Sequence, residues 1–241
     1  MRVGLFVTCL VDAMRPEIGF AAIKLLEAAG CEVIVPGTQT CCGQPAYNSG
    51  DATDARALAL KTLNEFDEFE FVVVPSGSCA GQIKVHLPHL LQDDESAFAR
   101  AKRLAERTYE LTDFLVNVAP TRPNSRTAGR GPFTYHDSCS GLRELGIKAQ
   151  PRTLLAAAGV ELMEMKDCEQ CCGFGGTFAV KFGDISGAIV DEKCRRIQAT
   201  GAAAVVLGDL GCMLNIEGRL QRLGDHRTRV LHVAQVLAED V

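Results

Sequence analysis

Adjacent cysteines followed by glycine occur twice in this 241-residue sequence, as Cys41-Cys42-Gly43 and Cys171-Cys172-Gly173. A lone cysteine, Cys9 or Cys139, precedes each pair with 31 residues between, and another, Cys79 or Cys212, follows after 36 or 39. Cys9 to Cys139, Cys41 to Cys171 and Cys42 to Cys172 are each 130 positions apart, and Cys79 to Cys212 is 133. Four thiols in register twice mark a duplication. The period far exceeds that of a solenoid repeat, so the expectation is two related, pseudo-symmetric lobes.

Successive side chains of a strand point to opposite faces, so two adjacent thiols can serve one centre only where the backbone turns. Gly43 and Gly173 supply residues that accept positive φ and let backbone approach closely. Four thiolates converging from three segments suit a soft metal centre, above all iron–sulfur. Zinc is the rival, although its usual grammar of paired C-x₂₋₄-C knuckles is made by none of the eight repeated cysteines. Disulfides are a third reading. An odd total of eleven cysteines, and the strain of bridging adjacent residues, stand against them.

The charge balance narrows the function. A formal net charge of −5 and a pI near 5.6 argue against a nucleic-acid partner, which would need a basic face. No apolar run approaches the roughly 20 residues of a membrane span, and residues 3–7 read as a buried strand instead of a signal peptide. With many thiols to keep reduced, the expected location is cytoplasmic, with membrane association only through partners.

Along the chain, the fold class expected is α/β: two lobes, each a small, mostly parallel sheet flanked by helices, with cysteine loops at the strand C-terminal ends. In the first lobe (1–118) strands fall at 3–7, 31–36 and 71–75. A helix opens at Pro16 and ends at Gly30, and another covers 51–66. Residues 86–116 read as a helical extension outside the repeat. Residues 119–132, poor in apolar side chains and rich in Pro and Gly, read as a linker. The second lobe (133–241) repeats the order, with strands at 133–139, 160–165 and 203–207, a helix near 185–199, and a tail of strand 229–233 plus helix.

Other residues are weighed against plainer roles. Cys168, three before Cys171, is a candidate extra ligand, but its first-half counterpart is Thr38, so the repeat does not require a thiol there. Cys31 and Cys194 read as core fillers. His136 is expected beside the centre, as a hydrogen-bonding neighbour and not a ligand. Gly173-Phe174-Gly175-Gly176 lacks dinucleotide-binding spacing. Its backbone N–H groups are expected to face cluster sulfurs, where they would tune potential.

The spacing Cys-x₃₁-Cys-Cys-Gly with a later cysteine, present twice, resembles the cysteine-rich "CCG" domain family. That family includes the CCG-bearing subunit of heterodisulfide reductase and the iron–sulfur subunits of glycolate oxidase and anaerobic glycerol-3-phosphate dehydrogenase. Phe6-Val-Thr-Cys9, Cys42-Gly-Gln-Pro-Ala46, Pro75-Ser-Gly-Ser-Cys79, Cys172-Gly-Phe-Gly-Gly-Thr-Phe178 and Cys212-Met-Leu-Asn-Ile-Glu-Gly-Arg219 are similar to its lactate-utilisation branch. The resemblance implies an iron–sulfur electron-transfer subunit of a complex oxidising L-lactate to pyruvate. A second iron–sulfur protein and a third small subunit would be its partners. It implies one [4Fe–4S] cluster per lobe, on Cys9, Cys41, Cys42 and Cys79 and on Cys139, Cys171, Cys172 and Cys212. One site empty or holding another metal stays open. The chain departs from heterodisulfide reductase at Gln82 and Asn215, where that enzyme has a fifth thiol per motif. That departure speaks against that enzyme's specialised cluster and its disulfide chemistry; a heterodisulfide-reductase-like thiol–disulfide redox enzyme and a zinc-held structural scaffold are the alternatives.

Overall fold

The computed structural model describes residues 1–121 and 132–238. The chain divides into two compact units, Met1–Thr121 and Arg122–Val241.

In the first unit, strands β1 (Arg2–Leu5), β2 (Glu32–Ile34), β3 (Phe71–Val74) and β4 (Thr108–Glu110) form one sheet in the order β2-β1-β3-β4. All three pairings are parallel. The central strands are covered on both faces, which is why they read as continuous apolar runs: Val3, Leu5, Val72, Val73 and Val74 are all fully buried. Pro16 occupies the start of helix Pro16–Ala28, whose Ile18, Ala22, Leu25 and Leu26 are buried. Asp51 caps helix Ala52–Phe66 by accepting from the Asp54 N–H.

In the second unit, β5 (Phe133–His136), β6 (Ala204–Leu207) and β7 (Arg229–His232) form a parallel sheet in that order. The strand expected over 160–165 is reduced to a single parallel bridge between Leu162 and Phe133. Two backbone hydrogen bonds, Phe133 N–H to the Glu161 carbonyl and Met163 N–H to the Phe133 carbonyl, make that bridge. Glu161 and Glu164, the exposed acids flanking this bridge, add nothing to a buried ladder.

The reading of 86–116 as wholly helical and outside the repeat is corrected. Thr108–Glu110 is strand β4, and it passes into helix Leu111–Asn117 as β7 passes into helix Val233–Ala238. Glu110 and His232 sit at equivalent places. Glu110 lies opposite Val74 at the end of β3, His232 opposite Leu207 at the end of β6, and each accepts an N–H from the first turn of the next helix. The repeat therefore includes the sheet's last strand. What lies outside it is helix Glu95–Glu106, which has no counterpart among the described residues of the second unit. Of the linker expected over 119–132, residues 122–131 lie outside the described residues.

Candidate metal centres

All eight repeated cysteines lie at the C-terminal ends of the parallel strands, in two groups of four. Only the adjacent pairs sit in coil. Cys9 and Cys139 are the first residues of helices Cys9–Met14 and Cys139–Leu145, and Cys79 and Cys212 lie in the first turns of helices Gly77–Gly81 and Leu210–Arg222. Those turns are fixed by side-chain caps: Ser76 Oγ accepts from the Cys79 N–H, and Asp209 Oδ1 accepts from the Gly211 and Cys212 N–H groups. Thr8, which caps the Cys9 helix, is held at φ 74°, a conformation that β-branched residues rarely adopt. This strain lies beside a candidate ligand, where such departures concentrate.

In the first unit the Cys42 and Cys79 sulfurs are 3.3 Å apart, and the Gly43 N–H points to Cys41 Sγ at 3.4 Å. Donation from Cys42 and Cys9 holds the Cys41 thiol far below its ordinary range, while the bond to Cys41 pushes Cys9 up. The second unit repeats the arrangement. Cys139 and Cys172 donate to Cys171, which is pulled down, and the bond to Cys171 pushes Cys139 up. Here the Gly173 N–H points to Cys171 Sγ at 3.3 Å and the Phe174 N–H to Cys172 Sγ at 3.5 Å. One thiolate per group is easily formed and its neighbours then resist ionising, because like charges crowd a half-buried pocket. A cation among the four sulfurs removes that penalty. The donor set is all-thiol, preorganised on three segments and served by backbone N–H groups, and it fits a thiophilic metal or iron–sulfur group. All eleven cysteines are free thiols.

The glycines after the pairs are needed for different reasons. Both have positive φ, 88° at Gly43 and 84° at Gly173. A Cβ on Gly43 would make ordinary contact with Leu58, whereas one on Gly173 would come within 2.7 Å of the Ser186 carbonyl oxygen. Gly175 and Gly176 also have positive φ, and the turn they make carries the chain into helix Thr177–Lys181.

The other candidates separate. Cys168 does not join the four thiols of its unit: its sulfur lies 3.9 Å from Arg152 Nη2, against the Arg152–Asp137 ion pair. Cys31 and Cys194 are buried in the core. Asn215 Nδ2 donates to the Cys172 carbonyl at 2.9 Å and so braces the thiol loop. Gln82, its counterpart after Cys79, is buried with Oε1 unpartnered, at the start of a one-turn π-helix, Gln82–His86.

His136 lies against the second group. One of its ring nitrogens and the sulfurs of Cys172 and Cys212 are all within 4.8 Å of one another. The ring is fully buried; neither nitrogen makes a well-formed hydrogen bond, although the Cys168 backbone carbonyl acts on the ring as an acceptor. Burial and the nearby Lys193 ammonium hold its pKa down to about 3. Lys193 is the site residue that sequence reasoning missed. It is fully buried on helix Gly183–Ala199 and donates to the Cys168 carbonyl at 3.0 Å and the Asp167 carbonyl at 3.3 Å. The turn carrying those carbonyls needs Asp167 at φ 54°. Nothing local distinguishes Lys193 from the exposed cations around it. Only its place on the buried stripe Ser186, Val190, Lys193, Cys194, Ile197 could have marked it.

On the first unit, a cavity of about 220 Å³ borders the exposed Cys9 and is lined also by Thr8, Asp12, Gln39 and Thr40. It gives this thiol group an open side. No helix among the described residues is long and apolar enough to cross a membrane.

Comparison with known proteins agrees with this geometry. The family model "CCG: Cysteine-rich domain" matches residues 3–84 and 133–217, one copy per unit. Lactate utilization protein A of Geobacillus kaustophilus is 48% identical over 238 residues, covering 98% of each chain. That of Bacillus subtilis is 46% identical over 238 residues, covering 98% of this chain and 99% of its own. Among solved structures, a hypothetical protein from Helicobacter pylori superposes with a TM-score of 0.72 at 11% identity, covering 99% of this chain and 48% of the other; that likeness concerns the fold alone.

Proposed function

This chain belongs to the cysteine-rich CCG domain family, and from that premise we propose that it is an iron–sulfur electron-transfer subunit for the oxidation of L-lactate to pyruvate. The observation that carries the reading is the convergence of four thiols from three segments in each unit, with backbone N–H groups directed at their sulfurs. The near-full-length similarity to proteins named for lactate utilization supports lactate as the substrate. Cys9, Cys41, Cys42 and Cys79 would hold one group, and Cys139, Cys171, Cys172 and Cys212 the other. A [4Fe–4S] cluster so held would accept and release single electrons.

The chain's own residues do three things for that role. Ser76 and Asp209 fix the helix turns that present Cys79 and Cys212. Gly43 and Gly173 turn the backbone so that adjacent thiols face one centre. The N–H groups of Gly43, Gly173 and Phe174 stabilise charge on the sulfurs without carrying a proton away. The substrate-oxidising chemistry belongs to partners, a second iron–sulfur protein and a third small subunit, and the cytoplasm is the expected location.

Anaerobic purification followed by iron, acid-labile sulfide and zinc analysis tests the proposal. About eight iron and eight sulfide per chain, with visible absorbance bleached by dithionite, is the expected result. About two zinc per chain with no sulfide would replace it with a structural scaffold.

A further inference from the structure

The two units repeat each other closely enough that their sites can be compared residue by residue. In the helix behind the adjacent cysteines, the buried stripe Ala55, Ala59, Thr62, Leu63, Phe66 corresponds to Ser186, Val190, Lys193, Cys194, Ile197 at a constant offset of 131. Thr62 therefore stands where Lys193 stands. In the first strand, Leu5 pairs with Val73 and Tyr135 with Val206, so Phe6 stands where His136 stands. At the next helix cap Ser76 corresponds to Asp209. The thiols are the same in both units, but the buried groups around them are not. The first has a phenyl ring and two hydroxyls; the second has an imidazole, an ammonium and a carboxylate.

Loop anchoring alone does not require this difference. In the first unit Lys61 donates to the Thr38 carbonyl, the equivalent of the Cys168 carbonyl held by Lys193, and does so from the surface, with 37% of its side chain exposed. The second unit makes the same kind of contact from inside, with a fully buried ammonium. His136 is more telling. The buried ring makes no well-formed hydrogen bond through either nitrogen, and the polar groups around it are the Cys168 carbonyl and the sulfurs of Cys172 and Cys212. An imidazole, charged or neutral, carries at least one N–H.

We infer that His136 is a positioning residue that donates an N–H to the sulfurs of Cys172 and Cys212, and that with Lys193 it raises the reduction potential of the second unit's centre relative to the same thiol set without them. A donor or a positive charge beside a cluster sulfur stabilises the reduced, more negative state. Asp209, which accepts from the Cys212 N–H, brings a carboxylate beside the Cys212 and Cys139 thiols and acts in the opposite sense. The two centres of this chain are accordingly inequivalent, and the second is the one tuned by a buried imidazole, ammonium and carboxylate.

The inference rests on the iron–sulfur reading above, and metal analysis of each variant keeps the two separable. EPR-monitored redox titration of anaerobically purified protein is expected to resolve two one-electron components. His136→Phe, which installs the first unit's residue, lowers one component by about tenfold in its reduction equilibrium, about 59 mV for a one-electron couple, and leaves the other in place. His136→Asn, which keeps an N–H, restores most of the shift. Lys193→Thr lowers the same component and Lys193→Arg does not; Asp209→Asn raises it. Unchanged potentials in His136→Phe with iron and sulfide retained would overturn the inference while sparing the function. Equal shifts in both components would also overturn it. A wild-type protein with no iron would sink the underlying function first.

Discussion

Replacing the glycine after each cysteine pair by alanine separates two costs that the motif combines. At both positions φ lies in the left-handed region, 88° at Gly43 and 84° at Gly173, so an L side chain costs about 1–2 kcal/mol in either place. The surroundings differ. Alanine at 43 places its Cβ 3.4 Å from Leu58 Cβ, a contact a side chain can absorb. Alanine at 173 places it 2.7 Å from a backbone oxygen, Ser186 O, and 3.2 Å from Ile189 Cβ. Ser186 also donates its hydroxyl to the Gly173 carbonyl at 2.8 Å, so the helix cannot retreat without losing that bond. Overpacking of this kind costs a further ~1–3 kcal/mol. Because the φ costs nearly cancel, Gly173→Ala should exceed Gly43→Ala by about 2 kcal/mol. The readout is native-state hydrogen exchange, which reports each unit separately. Helix Gly183–Ala199 in Gly173→Ala should lose about thirtyfold more protection than helix Ala52–Phe66 does in Gly43→Ala. Equal losses in the two variants would refute the argument that steric closure at Ser186 sets the cost.

Other perturbations reach the sheet edge, the helix cap and the bound group. Burial raises the Glu110 carboxyl to about 7 from its usual 4.5, against the donors on Thr112 and Asp113. The folded state therefore holds this proton more tightly, and its contribution falls as pH rises from about 4.5 to about 7. Unfolding free energies from urea titrations should decline through that window by up to about 3 kcal/mol, and Glu110→Gln should flatten the decline; an unchanged slope would count against burial as the cause. Asp209→Ala removes the acceptor for two N–H groups and should cost about 1 kcal/mol in unfolding experiments, with weaker retention of metal by the second unit during a timed chelator challenge. Chelation of the whole protein should lower its thermal midpoint, since binding to the folded thiol sets alone stabilises them; an identical melting curve for stripped and loaded protein would argue against either set being a resident site.

The duplication makes the thiol groups legible in the amino-acid sequence alone. Strict register of four cysteines in two copies is a long-range constraint written directly in the chain, and apolar runs such as 71–75 announce central parallel strands because both faces are buried. The short edge elements carry no such signal. Thr108–Glu110 has three residues; Thr108 and Tyr109 suit a strand and Glu110 does not, and a run so short shows no alternation, so its pairing with β3 is decided by packing. The opposite error at 160–165 has the same origin, since a run with strand-like composition pairs only as far as its neighbour offers a ladder.

By itself, then, the sequence determined which sulfurs belong together and that each set must converge, because a repeated spacing has meaning only if the same backbone path is followed twice. Tertiary structure alone decided what surrounds them. His136 and Lys193 are ordinary polar residues until the strand end and the helix stripe carry them inside, where a ring nitrogen comes within reach of two thiols and an ammonium is wrapped by carbonyls. Burial is a property of the assembled layers, and the cost of desolvating an imidazole or an ammonium arises only once those layers have closed.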